Sequence, residues 1–282
     1  METMTRIAEI LKKRGLDTTS KLSPKEYEQF KVDGLNNTVG DRDKEDGYNC
    51  PLCKNKGFIA KLTEDNGNYS HCCTDCKCVE IRNSIMRMKR SGLKDIIKDY
   101  TFDNYEVNEP WQNTLKSAAM EYAKNPDGWL FLGGQSGCGK THLCTATCRE
   151  FLLAGKRVQY MLWRDDVVAI KANVNEGEVY NKLIDRFKTA DVLYIDDLFK
   201  TGKIDNGYQK PTAADVNVAF EIINYRYNNP ALITIISSEL TEDEILDIDE
   251  ATGGRIYEKA KKAFSIAKDR KKNYRIKGAV SL

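Results

Sequence analysis

The stretch that decides the fold is Trp129-Leu-Phe-Leu-Gly-Gly-Gln-Ser-Gly-Cys-Gly-Lys-Thr141. It opens with apolar residues that are typical of a buried strand, and its second part fits the pattern G-x-x-x-x-G-K-[ST] in full. In this pattern the glycines let backbone N–H groups converge on a phosphate, and the following helix presents its N-terminus to the same anion. A chance match in a Gly-rich turn is disfavoured, because a strand precedes the loop and a helix follows it. The stretch therefore predicts a phosphate-binding loop that takes ATP.

The residues of this loop have different expected roles. We expect Lys140 to reach the β- and γ-phosphates and the Thr141 hydroxyl to be a ligand of Mg²⁺. The predicted nucleotide-binding residues are Gly134, Gln135, Ser136, Gly137, Cys138, Gly139, Lys140, Thr141 and His142.

A second motif, Val192-Leu-Tyr-Ile-Asp196-Asp197, has acidic residues at the end of another buried strand. Ligands bind at the carboxyl ends of the strands in parallel sheets. We expect Asp196 to hold the Mg²⁺ and Asp197 to orient or deprotonate the attacking water. A solvated Asp pair is common after a strand, but downstream of a phosphate-binding loop that alternative is disfavoured. Together the two motifs predict an ATPase.

The cysteines are concentrated, since six of the nine fall in a short window: Cys50, Cys53, Cys72, Cys73, Cys76 and Cys78. The pair Cys50-Pro-Leu-Cys53 has the spacing of two zinc ligands. The second pair is open, because Cys73-x-x-Cys76 and Cys76-x-Cys78 both fit and Cys72 or His71 can substitute. Free buried thiols are disfavoured, since a polar segment of ~30 residues can scarcely build a core without metal. Four protein ligands leave no open position for water, so the zinc is expected to be structural.

The chain has 282 residues, a length that suits a nucleotide-binding domain behind a smaller module. Its net charge is +2. The longest apolar stretches, Trp129–Leu132 and Ala231–Ser238, are too short to span a bilayer. Met1–Arg14 is charged throughout and lacks the apolar core of a signal peptide. We therefore expect a cytoplasmic protein with no membrane partner.

Apolar periodicity predicts alternating strands and helices, which is typical of a parallel α/β sheet with helices on both faces. The predicted strands are 129–132, 157–162, 192–195, 232–236 and 263–267, and the helices between them are 140–154, 164–173, 178–189, 213–228 and 252–262. Further helices are predicted over 3–14, 24–32, 79–91 and 113–124, and a hairpin over 57–62 and 68–72. The polar stretch 34–47 is predicted to be a mobile linker. We predict three parts: 1–47 with helices and linker, 48–95 with the zinc-binding module and a basic helix, and 96–282 with the ATPase domain.

Several motifs together resemble the AAA+ ATPases, specifically the DnaC-like bacterial helicase loaders, which are close relatives of the IstB-type transposition ATPases. The motifs are the cysteine module, Arg90-Ser-Gly-Leu93, Tyr100-Thr-Phe-Asp-Asn-Tyr105, the two nucleotide motifs and Lys272-Asn-Tyr-Arg275. The resemblance favours Cys76 and Cys78 as the second zinc pair, with Cys73 as the alternate ligand.

The resemblance also implies two further site residues. Ser237-Ser238-Glu239 stands where the family's sensor strand usually ends in Thr-Ser-Asn. Because Glu239 replaces the asparagine, polar sensing of the γ-phosphate is expected to fall to Ser237 or Ser238, or to be weak. Arg255 matches the arginine finger, which reaches the γ-phosphate of the neighbouring subunit. The alternative for Arg255 is a surface arginine after a Gly-Gly turn.

For partners, the resemblance implies a replicative hexameric helicase, single-stranded DNA and a homo-oligomer that forms on ATP or DNA. Trp163 can stack a base and Arg164 or Lys171 can contact phosphates, but a buried Trp163 is an equally good interpretation. The predicted function is an ATP-dependent loader that places the helicase on single-stranded DNA during replication initiation. The alternatives are an IstB-like transposition ATPase and a nucleotide-switched adaptor with negligible turnover.

Overall fold

The computed structural model describes residues 23–88, 96–201, 203–204, 207–208 and 210–276. The predicted helix over 3–14 lies outside these residues. The chain forms two compact units, Met1–Val79 and Glu80–Leu282. The three-part division predicted from the sequence has other borders, after residues 47 and 95, and it stays a prediction.

The first unit is built on a helix and a hairpin. Its elements are α1 (Pro24–Asn37), α2 (Asp43–Asp46), β1 (Phe58–Asp65) and β2 (Asn68–Asp75). Helix α1 begins with a capping box, in which Ser23 and Glu26 each accept a hydrogen bond from the other's backbone N–H. Strands β1 and β2 pair in antiparallel fashion. Asn66 and Gly67 connect them with φ angles of 49° and 80°, as in the two-residue turns that match the twist of a hairpin.

The segment 34–47, predicted to be a mobile linker, is packed instead. Helix α1 continues to Asn37, and the Asn36 side chain bonds both backbone groups of Ala60 on β1. The Gly40 N–H donates to the Lys54 carbonyl at 2.7 Å. Polar composition alone misses this order, because hydrogen bonds rather than apolar side chains hold the segment.

The second unit contains a five-stranded parallel sheet in the order β4-β5-β8-β3-β9. Its strands are β3 (Leu130–Gly134), β4 (Val158–Leu162), β5 (Val192–Asp196), β8 (Ile233–Ser237) and β9 (Lys262–Ile266). The two-residue strands β6 (Lys203–Ile204) and β7 (Gly207–Tyr208) form a separate short hairpin. Helix α3 (Cys78–Met88) spans the border between the units. The other helices are α4 (Ile96–Asp99), α5 (Pro110–Lys124), α6 (Lys140–Leu153), α7 (Trp163–Ala172), α8 (Gly177–Lys188), α9 (Ala213–Tyr227), α10 (Glu242–Ile248) and α11 (Glu250–Lys259).

Helices cover both faces of this sheet, which confirms the predicted α/β fold. Alternate strand residues such as Phe131, Leu193 and Ile195 pack in one apolar core with side chains of α7, α8, α9 and α11. Helix α6 packs against β5 and β8, and α5 packs against α6. Both faces are therefore buried, which explains why the strands are apolar throughout.

One buried cation lies at the end of the sheet where the strands start, opposite the phosphate-binding loop. Arg226 on α9 donates to the carbonyls of Phe187, Ala190 and Ile233. These hydrogen bonds tie the end of α8 and the starts of β5 and β8 to one side chain.

Among the described residues, no helix combines the length and the apolar character needed to cross a membrane.

Candidate functional site

The phosphate-binding loop depends on glycines with backbone angles that other residues disfavour. Gly134 has a φ of 90° and Gly137 a φ of 71°, both in the left-handed region. A Cβ atom on Gly134 would lie 2.0 Å from the carbonyl oxygen of Ile266. A larger residue would therefore push the loop away from β9. Helix α6 begins at Lys140, which places its N-terminus beside the loop.

The Lys140 side chain is held at the same loop. Its Nζ donates to the carbonyl oxygens of Gly134 and Gln135 at 2.8 and 2.7 Å, and the residue is buried. A buried ammonium group needs such acceptors, because removing a charge from water is costly. The cation and the N–H groups at the start of α6 thus lie together, as phosphate binding requires.

Asp196 ends β5 among hydroxyl groups. Tyr194 donates to its Oδ1 at 2.7 Å, Tyr160 to its Oδ2 at 2.9 Å and Thr141 to its Oδ1 at 3.2 Å. Ser237 on β8 also donates to Oδ1. Hydrogen bonds of this kind orient the carboxylate. Thr141 and Asp196 supply oxygen ligands of the type that Mg²⁺ takes, so the donor set fits the predicted magnesium site.

Asp197 begins a strained turn that ends at Lys200. Asp197 and Phe199 have φ angles of 58° and 60°, which non-glycine residues seldom adopt and which often occur at functional sites. Burial and the neighbouring Asp196 raise the pKa of Asp197, although Lys200 Nζ donates to its Oδ2 at 2.8 Å. A carboxylate with a raised pKa is a better proton acceptor, which suits the role predicted for Asp197.

The loop and this turn open onto a cavity of about 300 Å³. The predicted residues in its wall are Ser136, Gly137, Gly139, Lys140, Thr141, His142 and Asp197. Within the described part of the chain, Gly134, Gln135, Cys138, Asp196 and Ser238 do not belong to this wall. Asp196 is nevertheless connected to it through its hydrogen bond with Thr141.

An aromatic pair forms another part of the wall. The rings of Tyr100 and His142 stack with centroids 4.4 Å apart and planes 4° from parallel. Burial lowers the pKa of His142, which favours the neutral imidazole, and its Nε2 lies 2.8 Å from the Thr101 carbonyl oxygen. A flat, uncharged pair beside a phosphate-binding loop suits a nucleotide base.

Sequence reasoning missed several wall residues: Tyr100, Asn104, Tyr105, Glu106, Lys200, Glu239, Tyr274 and Arg275. The runs 100–105 and 272–275 were marked only by the family resemblance. The Tyr274 N–H donates to the Gly137 carbonyl at 2.9 Å, so the end of the described chain packs on the loop. Such a long-range contact leaves no local pattern in the sequence.

At the end of β8, the hydroxyl groups of Ser237 and Ser238 are buried, whereas the carboxylate of Glu239 lies at the cavity. Ser238 is buried and its hydroxyl donates to the Leu198 carbonyl at 2.8 Å. Glu239 lies in the cavity wall, and its Oε1 is 3.1 Å from Lys200 Nζ.

Arg255 lies in α11 and not after a Gly-Gly turn, because Gly253 and Gly254 are themselves helical. Its Nε donates to Asn224 Oδ1 at 3.0 Å, and its guanidinium lies 4.9 Å from the centre of the Phe220 ring. Among the described residues, Arg255 is not part of the cavity wall of its own chain. Its assignment as an arginine finger stays a prediction.

The first unit brings four thiols together: Cys50, Cys53, Cys76 and Cys78, whose sulfur atoms all lie within 4.8 Å of one another. All four are buried, whereas Cys72 and Cys73 are exposed on β2. Four converging sulfurs are the ligand set of a structural zinc site, so the cluster can hold zinc. Cys73, the alternate ligand, lies outside the cluster.

The environment of Cys53 favours the thiolate, whereas burial raises the pKa of the neighbouring Cys76. Burial raises the pKa of Cys53, but hydrogen bonds from the Gly57 N–H and from neighbouring thiols outweigh it and lower the pKa to about 7. The Gly57 N–H lies 3.3 Å from Cys53 Sγ. Because zinc binds the thiolate, a donor to this sulfur prepares it as a ligand.

Trp163 adopts the buried alternative. Its side chain is 1% exposed, and its ring meets that of Phe199 edge-on, with centroids 5.4 Å apart. Base stacking by Trp163 is therefore wrong for this conformation. Arg164 is exposed, and Lys171 Nζ bonds Asp215 at 2.6 Å.

Comparison with known proteins matches residues 75–250 to the family described as IstB-like ATP binding protein. The uncharacterized protein YqaM of Bacillus subtilis strain 168 is 30% identical, and the match covers 75% of this chain and 80% of YqaM.

The replicative helicase loader DnaC of Escherichia coli K12 is 32% identical over 128 residues, which are 43% of this chain and 52% of DnaC. A crystal structure of the DnaC helicase loader matches with a TM-score of 0.51 at 21% identity, covering 62% of this chain and 99% of that chain. This last likeness concerns the fold alone.

Proposed function

Because the chain belongs to the family of IstB-like ATP-binding proteins, we propose that it is an ATPase that loads a replicative hexameric helicase onto single-stranded DNA during replication initiation. The observation that carries the ATPase part is the convergence of Lys140, the Thr141–Asp196 pair and Asp197 around one cavity.

Each of these groups has a role in hydrolysis. Lys140 binds the β- and γ-phosphates, and Thr141 with Asp196 would hold Mg²⁺. When bound, the ion neutralises charge on the phosphates. Asp197 accepts a proton from the water whose oxygen attacks the γ-phosphorus, while the bond from that phosphorus to the bridging oxygen breaks and ADP leaves. Arg255 is proposed to reach the γ-phosphate held by a neighbouring copy of the chain.

The loading part rests on similarity to a relative named as a replicative helicase loader and on the cysteine module in front of the ATPase domain. We propose that residues 1–95 bind the helicase and that residues 96–282 bind ATP and single-stranded DNA. The basic stretch 259–277, with nine Lys or Arg against one acidic residue, supports contact with phosphates.

A nucleotide-switched adaptor is the second candidate. The contact of Lys200 with Asp197 favours it, because a neighbouring cation weakens a carboxylate as a proton acceptor. An IstB-like transposition ATPase is the third, and the family match supports it.

The test combines capture and turnover. The tagged chain, incubated with host extract, should retain the hexameric replicative helicase, and single-stranded DNA with that helicase should raise the ATPase rate. Capture without ATP turnover would favour the adaptor. Turnover stimulated by double-stranded DNA, with no helicase retained, would favour the transposition ATPase and contradict the loader.

A further inference from the structure

Three charged side chains, Lys200, Asp197 and Glu239, meet at the cavity wall. Two of them are carboxylates, which a site that binds phosphate is not expected to contain. Lys200 Nζ lies 2.8 Å from Asp197 Oδ2 and 3.1 Å from Glu239 Oε1. The side chains of Lys200, Asp197 and Glu239 are 29%, 23% and 16% exposed. They are therefore partly withdrawn from water and still open to the cavity.

The hydroxyls of β8 are not directed to this cavity. Ser237 donates to Asp196 and accepts from the Asp197 N–H at 3.2 Å. Ser238 donates to the Leu198 carbonyl and accepts from the Leu240 N–H at 3.1 Å. Both serines are fully buried, so each hydroxyl proton is used inside the protein.

Glu239, the next residue, cannot bind a phosphate by itself. An ionised carboxylate accepts hydrogen bonds and donates none, and it repels an anion. Burial raises the pKa of Glu239, but hydrogen bonds with Ser136 and Lys200 outweigh it and hold the pKa below its usual range. Glu239 thus faces the cavity as a charge that needs a cation.

Lys200 is that cation, and its ammonium group donates hydrogen bonds, whereas the two carboxylates only accept them. An ammonium group has three N–H donors, and Asp197 and Glu239 are the acceptors for two of them. Lys200 lies in the same cavity wall as Lys140 and Thr141. Its third N–H donor is therefore placed in the wall of the cavity that would hold the phosphates. The strained turn with positive φ at Asp197 and Phe199 holds Lys200 at this place.

We propose that Lys200 contacts the terminal phosphate of ATP and that Glu239 is its positioning residue. This inference rests on the proposed function, since it needs ATP in the cavity. Glu239 fixes the ammonium from one side through its contact with Lys200. Lys200 and Glu239 together would supply one hydrogen-bond donor to the terminal phosphate, which a single neutral side chain such as an amide could also supply.

The test compares nucleotides that differ in the terminal phosphate. For Lys200→Met, the preference for β,γ-methylene ATP over ADP should fall about ten-fold, as expected for one charge-assisted hydrogen bond. Affinity for ADP should not change. Lys188→Met is the matched control, because Lys188 also lies near two carboxylates, at 3.2 Å from Glu221 and 3.6 Å from Asp185, outside the cavity. Its preference should stay at the parent value.

A double variant separates positioning from simple structure. Lys200→Met leaves Glu239 unneutralised, whereas Lys200→Met with Glu239→Asn provides a neutral amide donor. The double variant should recover the preference to within about three-fold of the parent, a coupling that independent sites do not show. Glu239→Gln keeps an oxygen for Lys200 and should lower the preference by about three-fold; it serves as the test if Lys200→Met does not fold.

The outcomes are distinct. Equal losses of ADP and β,γ-methylene ATP affinity in Lys200→Met, or an unchanged preference, would overturn the role of Lys200 while the parent still binds nucleotide. A parent chain that binds neither nucleotide would overturn the proposed function as well.

Discussion

At the residue scale, the candidate site is made by side chains that lie far apart in the sequence. The ends of β5 and β8 deliver Asp196 and Ser237, and the loop that follows β3 delivers Lys140, to the carboxyl ends of the parallel strands. The hydroxyl groups around Asp196 hold that carboxylate in one orientation. The order of the strands in the sheet therefore determines which side chains meet at the candidate site.

Lys140→Ala should abolish ATP turnover or reduce it by at least about 100-fold, because the variant loses the cation at the β- and γ-phosphates. The fold should persist, since the lysine bonds only loop carbonyls. Steady-state hydrolysis with Mg²⁺ measures the first effect and thermal unfolding the second. Equal turnover by variant and parent would remove Lys140 from the mechanism.

Sequence reasoning was strong for this site where function is encoded in consecutive residues. The loop 134–141 and the pair Asp196-Asp197 were found because a strand and its turn form a local pattern. Lys200 was missed, although it follows Asp197 by only three positions, because its place depends on a turn with positive φ. Tyr274 was missed as a wall residue because its contact with Gly137 spans half of the chain.

At the element scale, helix caps decide where several helices begin. Thr212 and Asp215 form a reciprocal cap at the start of α9, and Lys171 bonds the same carboxylate at 2.6 Å. Burial raises the pKa of Asp215, but the hydrogen bonds from Lys171 and Thr212 outweigh it and lower the pKa. The ionised form is thus favoured by folding.

Asp215→Asn should lower the free energy of unfolding by about 1 kcal/mol near pH 7, the usual size for a cap. The folded pKa is depressed, so this stabilisation is present above the unfolded value of about 3.9 and is lost as the pH falls through the folded pKa. The difference from the parent should therefore shrink between about pH 5 and pH 3. Urea unfolding across this range measures it, with the exposed Asp127→Asn as control. A difference that grows in acid would contradict the assignment.

The caps also show why some elements were missed. Helix α10 begins with Thr241 and Glu244 in a capping box, a pattern visible in the sequence but too short to have apolar periodicity. Helix α1 was predicted to end five residues early, because the stretch to Asn37 is polar and its order comes from the Asn36 contacts with β1.

The fold of the first unit should depend on the metal. The purified chain should hold about one zinc, and Cys50→Ser should lose it and unfold the first unit, because metal binding supplies ~10 kcal/mol or more in small zinc modules. Metal analysis and limited proteolysis of residues 23–79 measure this. Cys73→Ser is the control and should keep the metal, since Cys73 is exposed. Zinc loss in Cys73→Ser with retention in Cys78→Ser would show that the ligand set is wrong.

At the scale of the whole molecule, one chain does not bring Arg255 to its own cavity. Its guanidinium is engaged by Asn224 and by the Phe220 ring. An arginine in this place can act on ATP only in another copy of the chain. The expected homo-oligomer and the finger are therefore one hypothesis.

Arg255→Ala should bind ATP normally and hydrolyse it about 100-fold more slowly or worse, because it lacks the cation for the γ-phosphate. Mixing it with the Lys140→Ala protein should restore some turnover, since a mixed interface pairs an intact loop with an intact Arg255. Arg149→Ala, at an exposed pair with Glu150, is the control. Absence of complementation, with both variants folded and associated, would argue that Arg255 is structural or acts in its own subunit.

The edge-on contact between Trp163 and Phe199 gives the chain an intrinsic optical reporter. Phe199 belongs to the strained turn between Asp197 and Lys200, and Trp163 is buried against it. Any movement of that turn alters the surroundings of the indole and hence its fluorescence. The chain has three tryptophans, so a variant with Trp111 and Trp129 replaced by phenylalanine would emit from this position alone. Each stage of the nucleotide cycle could then be timed in solution without attaching a dye.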